Sequence, residues 1–210
     1  MKKRIMKDLK DYKSDYDKLE DKCNLTGDAA LEAVREDGYV LHYVNEQTEK
    51  ICLEAVRQKG HALQYVRVQT PEICLAGVKQ NGHALRYVKE QTEAICLEAV
   101  KQDGDALQYV KEQTEEMCLV AIKQNGFVLQ YVLEQTPEIC LKAVRQNGHA
   151  LRYVNEQTEE ICLEAVKQDV RALQYVKEDM FKEENNEIEI DGKTFSKDTI
   201  KAALKQYISF

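Results

Sequence analysis

The apolar positions of this chain recur with a fixed step. Tyr-Val stands at 43, 65, 87, 109, 131, 153 and 175, 22 residues apart each time. Registering the chain on that dipeptide gives seven tiles, beginning at Thr26, Thr48, Thr70, Thr92, Thr114, Thr136 and Thr158. They share the pattern T-x-E-I-C-L-E-A-V-K-Q-N-G-x-A-L-Q-Y-V-x-E-Q. A unit this short has too little core to stand alone, so repetition at this period predicts a stack of tiles that bury a continuous core between them.

Within a tile the pattern predicts two short helices. In the second tile Ile51, Cys52, Leu53, Ala55 and Val56 cover an arc of roughly 200° at helical spacing. An arc that wide calls for a neighbour on each side. The leading Thr has N-cap chemistry. Pro71 and Pro137 take the first helical position, where a missing N–H costs nothing. Glutamates then suit the positive end of the helix dipole. The helix is expected to end at Gly38, Gly60, Gly82, Gly104, Gly126 or Gly148, with the glycine in a left-handed C′ conformation. A second helix or 3-10 turn covers A-L-Q-Y-V. The seventh tile carries Val170 in place of glycine, a departure expected of a terminal repeat.

The flanks follow other patterns. Ile5, Leu9, Tyr12, Tyr16, Leu19 and Cys23 form a heptad-like stripe, so residues 1–25 are expected to be an amphipathic helix that caps the first tile. The alternative is a homodimer seam through that end helix. At the other end EIEIDGKTF alternates around Asp191-Gly192, a hairpin signal. SKDTIKAALKQYI follows, with Ser196 or Asp198 able to cap a last helix. The expected fold class is therefore mainly α: an α/3-10 solenoid of seven 22-residue repeats over 26–179, an N-terminal capping helix over 1–25, and a small C-terminal ββα element over 180–210, either cap or separate module.

Composition narrows the setting. Of 210 residues, 43% are apolar and 32% charged, with two prolines and no tryptophan, which fits a soluble, ordered chain. MKKRIMKDLKDYK lacks the apolar stretch of a secretory signal. The longest apolar run, MCLVAI at 117–122, is far short of a membrane span. Seven cysteines without a signal favour a reducing compartment, the cytoplasm. The net charge of −7 disfavours a simple nucleic-acid binder. Residues 26–179 carry 17 basic and 25 acidic side chains, so the array itself is the acidic part.

At 77–88 the tile reads A-V-K-Q-N-G-H-A-L-R-Y-V, with Gly77 in the Ala place. It resembles an A-V-x-Q-N-G-x-A-L-x-Y-V repeat of large DNA viruses, phages and some bacteria. It is also similar in layout to leucine-rich variant repeats, which alternate an α-helix with a 3-10 helix. The resemblance covers 26–179 and implies a right-handed solenoid. The family carries no established activity, so no catalytic residue and no cofactor is implied. A viral source would place the protein in the host cytoplasm, as an inhibitor or adaptor of a host protein such as a defence nuclease.

The reactive residue types divide by column. Cysteines 52, 74, 96, 118, 140 and 162 sit on the apolar arc, where free Cys behaves as a small hydrophobe. No C-x₂₋₄-C pair suggests a metal, and cysteines a repeat apart are too distant for disulfides. His61, His83 and His149 follow the glycine, at a position that elsewhere holds Tyr39, Asp105, Phe127 and Arg171. That variety points to an exposed column that encodes partner choice. The invariant tyrosines read as a ladder of stacked rings; single-stranded nucleic acid is also bound on aromatic columns.

Arg35, Arg57, Lys79, Lys101, Lys123, Arg145 and Lys167 form an invariant basic column. Alone it suggests phosphate contacts, and with the tyrosines it supports an alternative reading as a nucleic-acid or nucleoprotein binder. Glu32, Glu54, Glu98 and Glu164 stand three residues earlier, where i,i+3 pairing is natural, so a self-paired, solvated face is the favoured reading. The departures cluster in the fifth tile: Val120 for the usual Glu, Phe127 for a polar residue, Leu133 for Lys or Asn. Val68 replaces a Glu in the second tile. Apolar residues at polar positions mark interfaces, so these four and the histidines are the candidate surface for a protein partner. The expected function is a non-enzymatic helical-repeat scaffold that binds a protein.

Overall fold

Each tile begins with a threonine that does the work of a cap. In the computed structural model, which describes residues 25–177 and the backbone of 187–190 and 193–196, the Thr48, Thr70, Thr92, Thr114, Thr136 and Thr158 hydroxyls accept from the backbone N–H three residues on, at 3.3–3.4 Å. A ten-residue helix follows in every tile: α1 Gly27–Glu36, α2 Glu49–Gln58, α3 Pro71–Gln80, α4 Glu93–Gln102, α5 Glu115–Gln124, α6 Pro137–Gln146 and α7 Glu159–Gln168. The first tile is the exception: Thr26 makes no side-chain cap, and Gly27 carries φ +57°.

The helix stops at an extended residue, not at a left-handed glycine. Lys59 has φ −141° and ψ 105°, and Asn81, Asn125, Asn147 and Asp169 match it closely. Six-residue 3-10 helices follow: η1 Gly38–Tyr43, η2 Gly60–Tyr65, η3 Gly82–Tyr87, η4 Gly104–Tyr109, η5 Gly126–Tyr131, η6 Gly148–Tyr153 and η7 Val170–Tyr175. Asp37, Asn81, Asp103, Asn125, Asn147 and Asp169 cap them by accepting from the N–H two residues on.

The glycines answer to crowding. A Cβ at Gly60 would lie 2.5 Å from the Gly77 carbonyl oxygen, and at Gly148 2.4 Å from that of Ala165. The next tile's helix leaves no room for a side chain. Val170 stands where no further tile of the array follows, and it is 49% exposed.

The described residues fall in two compact units, one ending at Gln102 and the other beginning at Asp103. The division runs through the fourth tile, between α4 and η4. Within each unit α-helix packs on α-helix and 3-10 helix on 3-10 helix of the next tile. Ile51, Cys52, Ala55 and Val56 of α2 are buried, with Ala62, Leu63 and Val66 behind them, and the other tiles repeat the set. Leu53 is only half-buried, so the core arc is narrower than the residue pattern suggests.

Near the C-terminus β1 (Glu187–Ile190) pairs antiparallel with β2 (Lys193–Ser196), Ile190 opposite Lys193. The expected N-terminal capping helix and the helix after β2 lie outside the described residues. No helix among the described residues is long and apolar enough to cross a membrane.

Candidate functional site

Two glutamine columns join the tiles, and they explain most of what is invariant. Gln69 lies in the short link between η2 and α3. Its Nε2 donates to the Leu63 carbonyl at 3.3 Å and to the Tyr87 carbonyl at 2.9 Å. Its Oε1 accepts from the Lys89 N–H at 3.0 Å and from the Cys74 thiol at 3.7 Å. Gln47 makes the same four bonds in the first unit, as do Gln113, Gln135 and Gln157 in the second. The other column closes the helix ends. Gln58, Gln80, Gln102, Gln124, Gln146 and Gln168 each accept, through Oε1, the N–H of the glycine in the preceding tile.

The cysteines belong to this scheme. Each thiol donates to the glutamine five residues before it. The first tile has Leu25 in the glutamine place and Ala30 in the cysteine place, so the thiol is lost where its acceptor is lost. All six are buried. Burial pushes the Cys52, Cys74 and Cys118 thiols up, and that of Cys140 up to about 11. Such groups are protonated donors at neutral pH, the opposite of an activated thiolate. Among the described residues no group of three or more His, Cys, Asp or Glu is placed to hold a metal ion.

Five of the seven residues in the column after the glycine are half-buried, more than its sequence variety suggested, and Tyr39 and Arg171 are exposed. Its residues lean on the tyrosine of the next tile. Tyr39 meets Tyr65 at 6.2 Å between ring centroids, His61 meets Tyr87 at 5.7 Å, Phe127 meets Tyr153 at 6.1 Å, and His149 meets Tyr175 at 5.6 Å. Edge-to-face geometry holds in these pairs. The tyrosines therefore alternate with the variable residue of the preceding tile. Arg152 caps the Tyr153 ring at 4.5 Å and the Phe127 ring at 5.7 Å. His149 also reaches Asp169, Nε2 to Oδ2 at 3.1 Å, and Arg171 grips the same carboxylate at 2.7 Å. The Arg171 guanidinium, with help from His149, holds the Asp169 carboxyl well below the usual carboxylate range. Burial, then His83 and Arg86, lowers the pKa of His61.

The basic column pairs chiefly between tiles. Arg35 reaches Glu54 of the next tile at 3.4 Å, and Arg145 reaches Glu164 at 2.7 Å. Of the expected i,i+3 pairs, Lys167–Glu164 forms at 3.7 Å. Arg35 and Arg145 thus reach forward to the next tile, and Lys167 reaches back along its own helix.

The apolar departures do not converge. Val120 is half-buried and lines an open groove of about 720 Å³ with Leu119, Ile122, Lys123 and, on α6, Lys142 and Gln146. Leu133, 67% exposed, lines a different cavity of about 330 Å³ beside Thr114 and Thr136. Phe127 packs on Tyr153 in neither. Val68 is 75% exposed, in the other unit. Leu133 also interrupts a column in which Arg67 and Lys89 donate to the carbonyl of the preceding tile's equivalent residue.

A family model described as a domain of unknown function (DUF4116) matches the chain six times, over 28–69, 48–93, 70–114, 92–136, 114–158 and 136–181. Each match spans about two tiles, and successive matches advance by about one. No curated protein and no solved structure matches.

Proposed function

The chain belongs to the DUF4116 family, and from that premise we propose that its array is a non-catalytic helical-repeat scaffold that binds another protein. One observation carries this reading: the invariant polar residues are spent inward. Glutamine and cysteine columns bond one tile to the next and threonines cap each tile's own helix, while the positions that vary, 39, 61, 83, 105, 127, 149 and 171 among them, are half-buried or exposed. A surface that varies on a fixed frame is how repeat arrays specify partners. The finer form is a right-handed solenoid of cytoplasmic, virus- or phage-type origin. The resemblance of the repeat supports a host protein such as a defence nuclease as its partner.

The nucleic-acid alternative draws on the basic and tyrosine columns. Arg35 and Arg145 already hold carboxylates, and the tyrosines are edged by their neighbours, which favours a protein partner. Affinity capture from the native host with the wild-type chain and with V120E/F127E/L133E tests the proposal. The triple variant is expected to lose a partner that the wild type retains, with helicity unchanged. Equal capture by both chains overturns the assignment of these residues. Steeply salt-dependent binding to bare oligonucleotides would favour the alternative.

A further inference from the structure

The groove on α5 and α6 is charged in a way that its own tile does not satisfy. At two junctions the basic residue of one tile meets a carboxylate 19 residues on: Arg35 meets Glu54 and Arg145 meets Glu164. At the junction of α5 and α6 the residue 19 after Lys123 is Lys142. Two ammonium groups thus occupy the register of an ion pair. Lys142 turns back to Glu138 on its own helix at 2.8 Å, and Lys123 has no ion-pair partner among the described residues. Two turns earlier, Glu115 and Glu116 form the acidic end of the same groove, exposed and likewise without an ion-pair partner among the described residues. Between the two ends lie Leu119 and Val120, half-buried. Val120 stands where four of the other six tiles carry Glu and the remaining two carry Ala76 and Lys142, so only here is the half-buried leucine joined by a branched aliphatic side chain.

We infer that this groove is a self-association surface, on which α5 of a second copy of the chain packs antiparallel about a two-fold axis. The surface is its own complement. Eight residues, roughly 12 Å of helix, separate Glu115 from Lys123. An antiparallel copy centred on Leu119 and Val120 sets Glu115 and Glu116 of one protomer against Lys123 and Lys142 of its partner, twice. The aliphatic side chains meet at the axis. Such isologous pairing is the commonest route to a dimer, and Lys123, which has Lys142 in its ion-pair register within the protomer, meets carboxylates across the interface. The patch is small, so the dimer is weak and forms at high protein concentration. This goes beyond the scaffold reading: it needs no host partner, and its readout is mass, so the two proposals fail separately.

Sedimentation velocity on the purified full chain tests it, over a concentration series reaching on the order of 1 mM. The mass should rise with concentration from 24.2 kDa towards twice that value. K123E/K142E and E115K/E116K should each stay monomeric, their dissociation constants raised at least tenfold. Mixed in equal amounts, the two variants should pair with each other, since every contact is then again between opposite charges. K123E alone serves if the double variant loses helicity. A wild-type chain that remains monomeric throughout, a dimer indifferent to the swaps, or swaps that do not re-pair on mixing would each overturn the inference.

Discussion

Gln69 reaches the carbonyl oxygen of Tyr87, 2.9 Å away and one tile further along the chain. The same amide group serves Leu63, Lys89 and Cys74. Gln69→Ala would therefore take the side-chain partner from the part-buried Tyr87 carbonyl and from the exposed Lys89 N–H, and leave the Leu63 carbonyl with the Val66 N–H alone. A buried polar group left unpaired costs roughly 1–3 kcal/mol, so a loss of about 1–3 kcal/mol is expected. Gln64, whose amide only closes its own turn on His61, should change stability by no more than about 0.5 kcal/mol when replaced by Ala. Urea unfolding of the two variants makes the comparison.

Gly148 and Val170 hold the same place in successive tiles with opposite tolerance. Gly148→Ala drives a methyl against the Ala165 carbonyl, a backbone atom that cannot swing aside, and overpacking of this kind costs about 1–3 kcal/mol. Val170→Ala, at a position half open to solvent, should fall within about 0.5 kcal/mol of wild type. Equal effects in the two variants would contradict the crowding account.

The buried thiols make a pH prediction. With its pKa raised from an ordinary 9.0 to about 11, Cys140 keeps its proton in the folded state longer than in the unfolded one. Its contribution to stability is complete below pH 9 and is lost as pH rises from about 9 towards 11. Cys140→Ala should flatten that part of the stability curve. Iodoacetamide at pH 8 should label Cys140 only after denaturation; rapid labelling of the native chain would show a thiolate where a protonated donor is described.

Asp169 works in the other direction. Its lowered pKa means that its stabilisation is present above the ordinary carboxyl value of 3.8 and is lost as pH falls below it. Asn fills this position in three other tiles and caps the 3-10 helix there, so Asp169→Asn should fold. The variant is expected to show a shallower loss of stability below about pH 4 than wild type. Circular dichroism during acid titration reads the difference.

The repeat made the tile boundaries, the threonine caps and the burial of the cysteines legible, because each is a matter of local pattern. The glycine was legible as a boundary but not in its reason. A C′ glycine and a glycine crowded by a neighbour look alike in one dimension, and only the packed helix carrying Ala165 or Gly77 tells them apart. The glutamines are not legible as clamps, because nothing about an amide announces a buried one. A signal did exist: Gln47 to Gln157 recur at 22-residue intervals, and Cys gives way to Ala30 in the one tile that Leu25 precedes. Arg35 and Arg145 pair forward to the next tile, a contact between packed helices that spacing along one helix does not record. The site residues were named by type, and type could not show that Val120, Phe127 and Leu133 face different surroundings.

The central claim is that inward columns hold the array together while outward ones choose the partner. Calorimetric titration of the captured partner against three chains tests it: wild type, F127E/L133E and Q113A, each with its unfolding midpoint measured. F127E/L133E should abolish binding with a midpoint lowered by no more than the lost Phe127–Tyr153 contact accounts for, and Q113A should lower the midpoint while folded protein still binds with wild-type affinity. Binding that survives in F127E/L133E, or that fails in folded Q113A, would contradict the division.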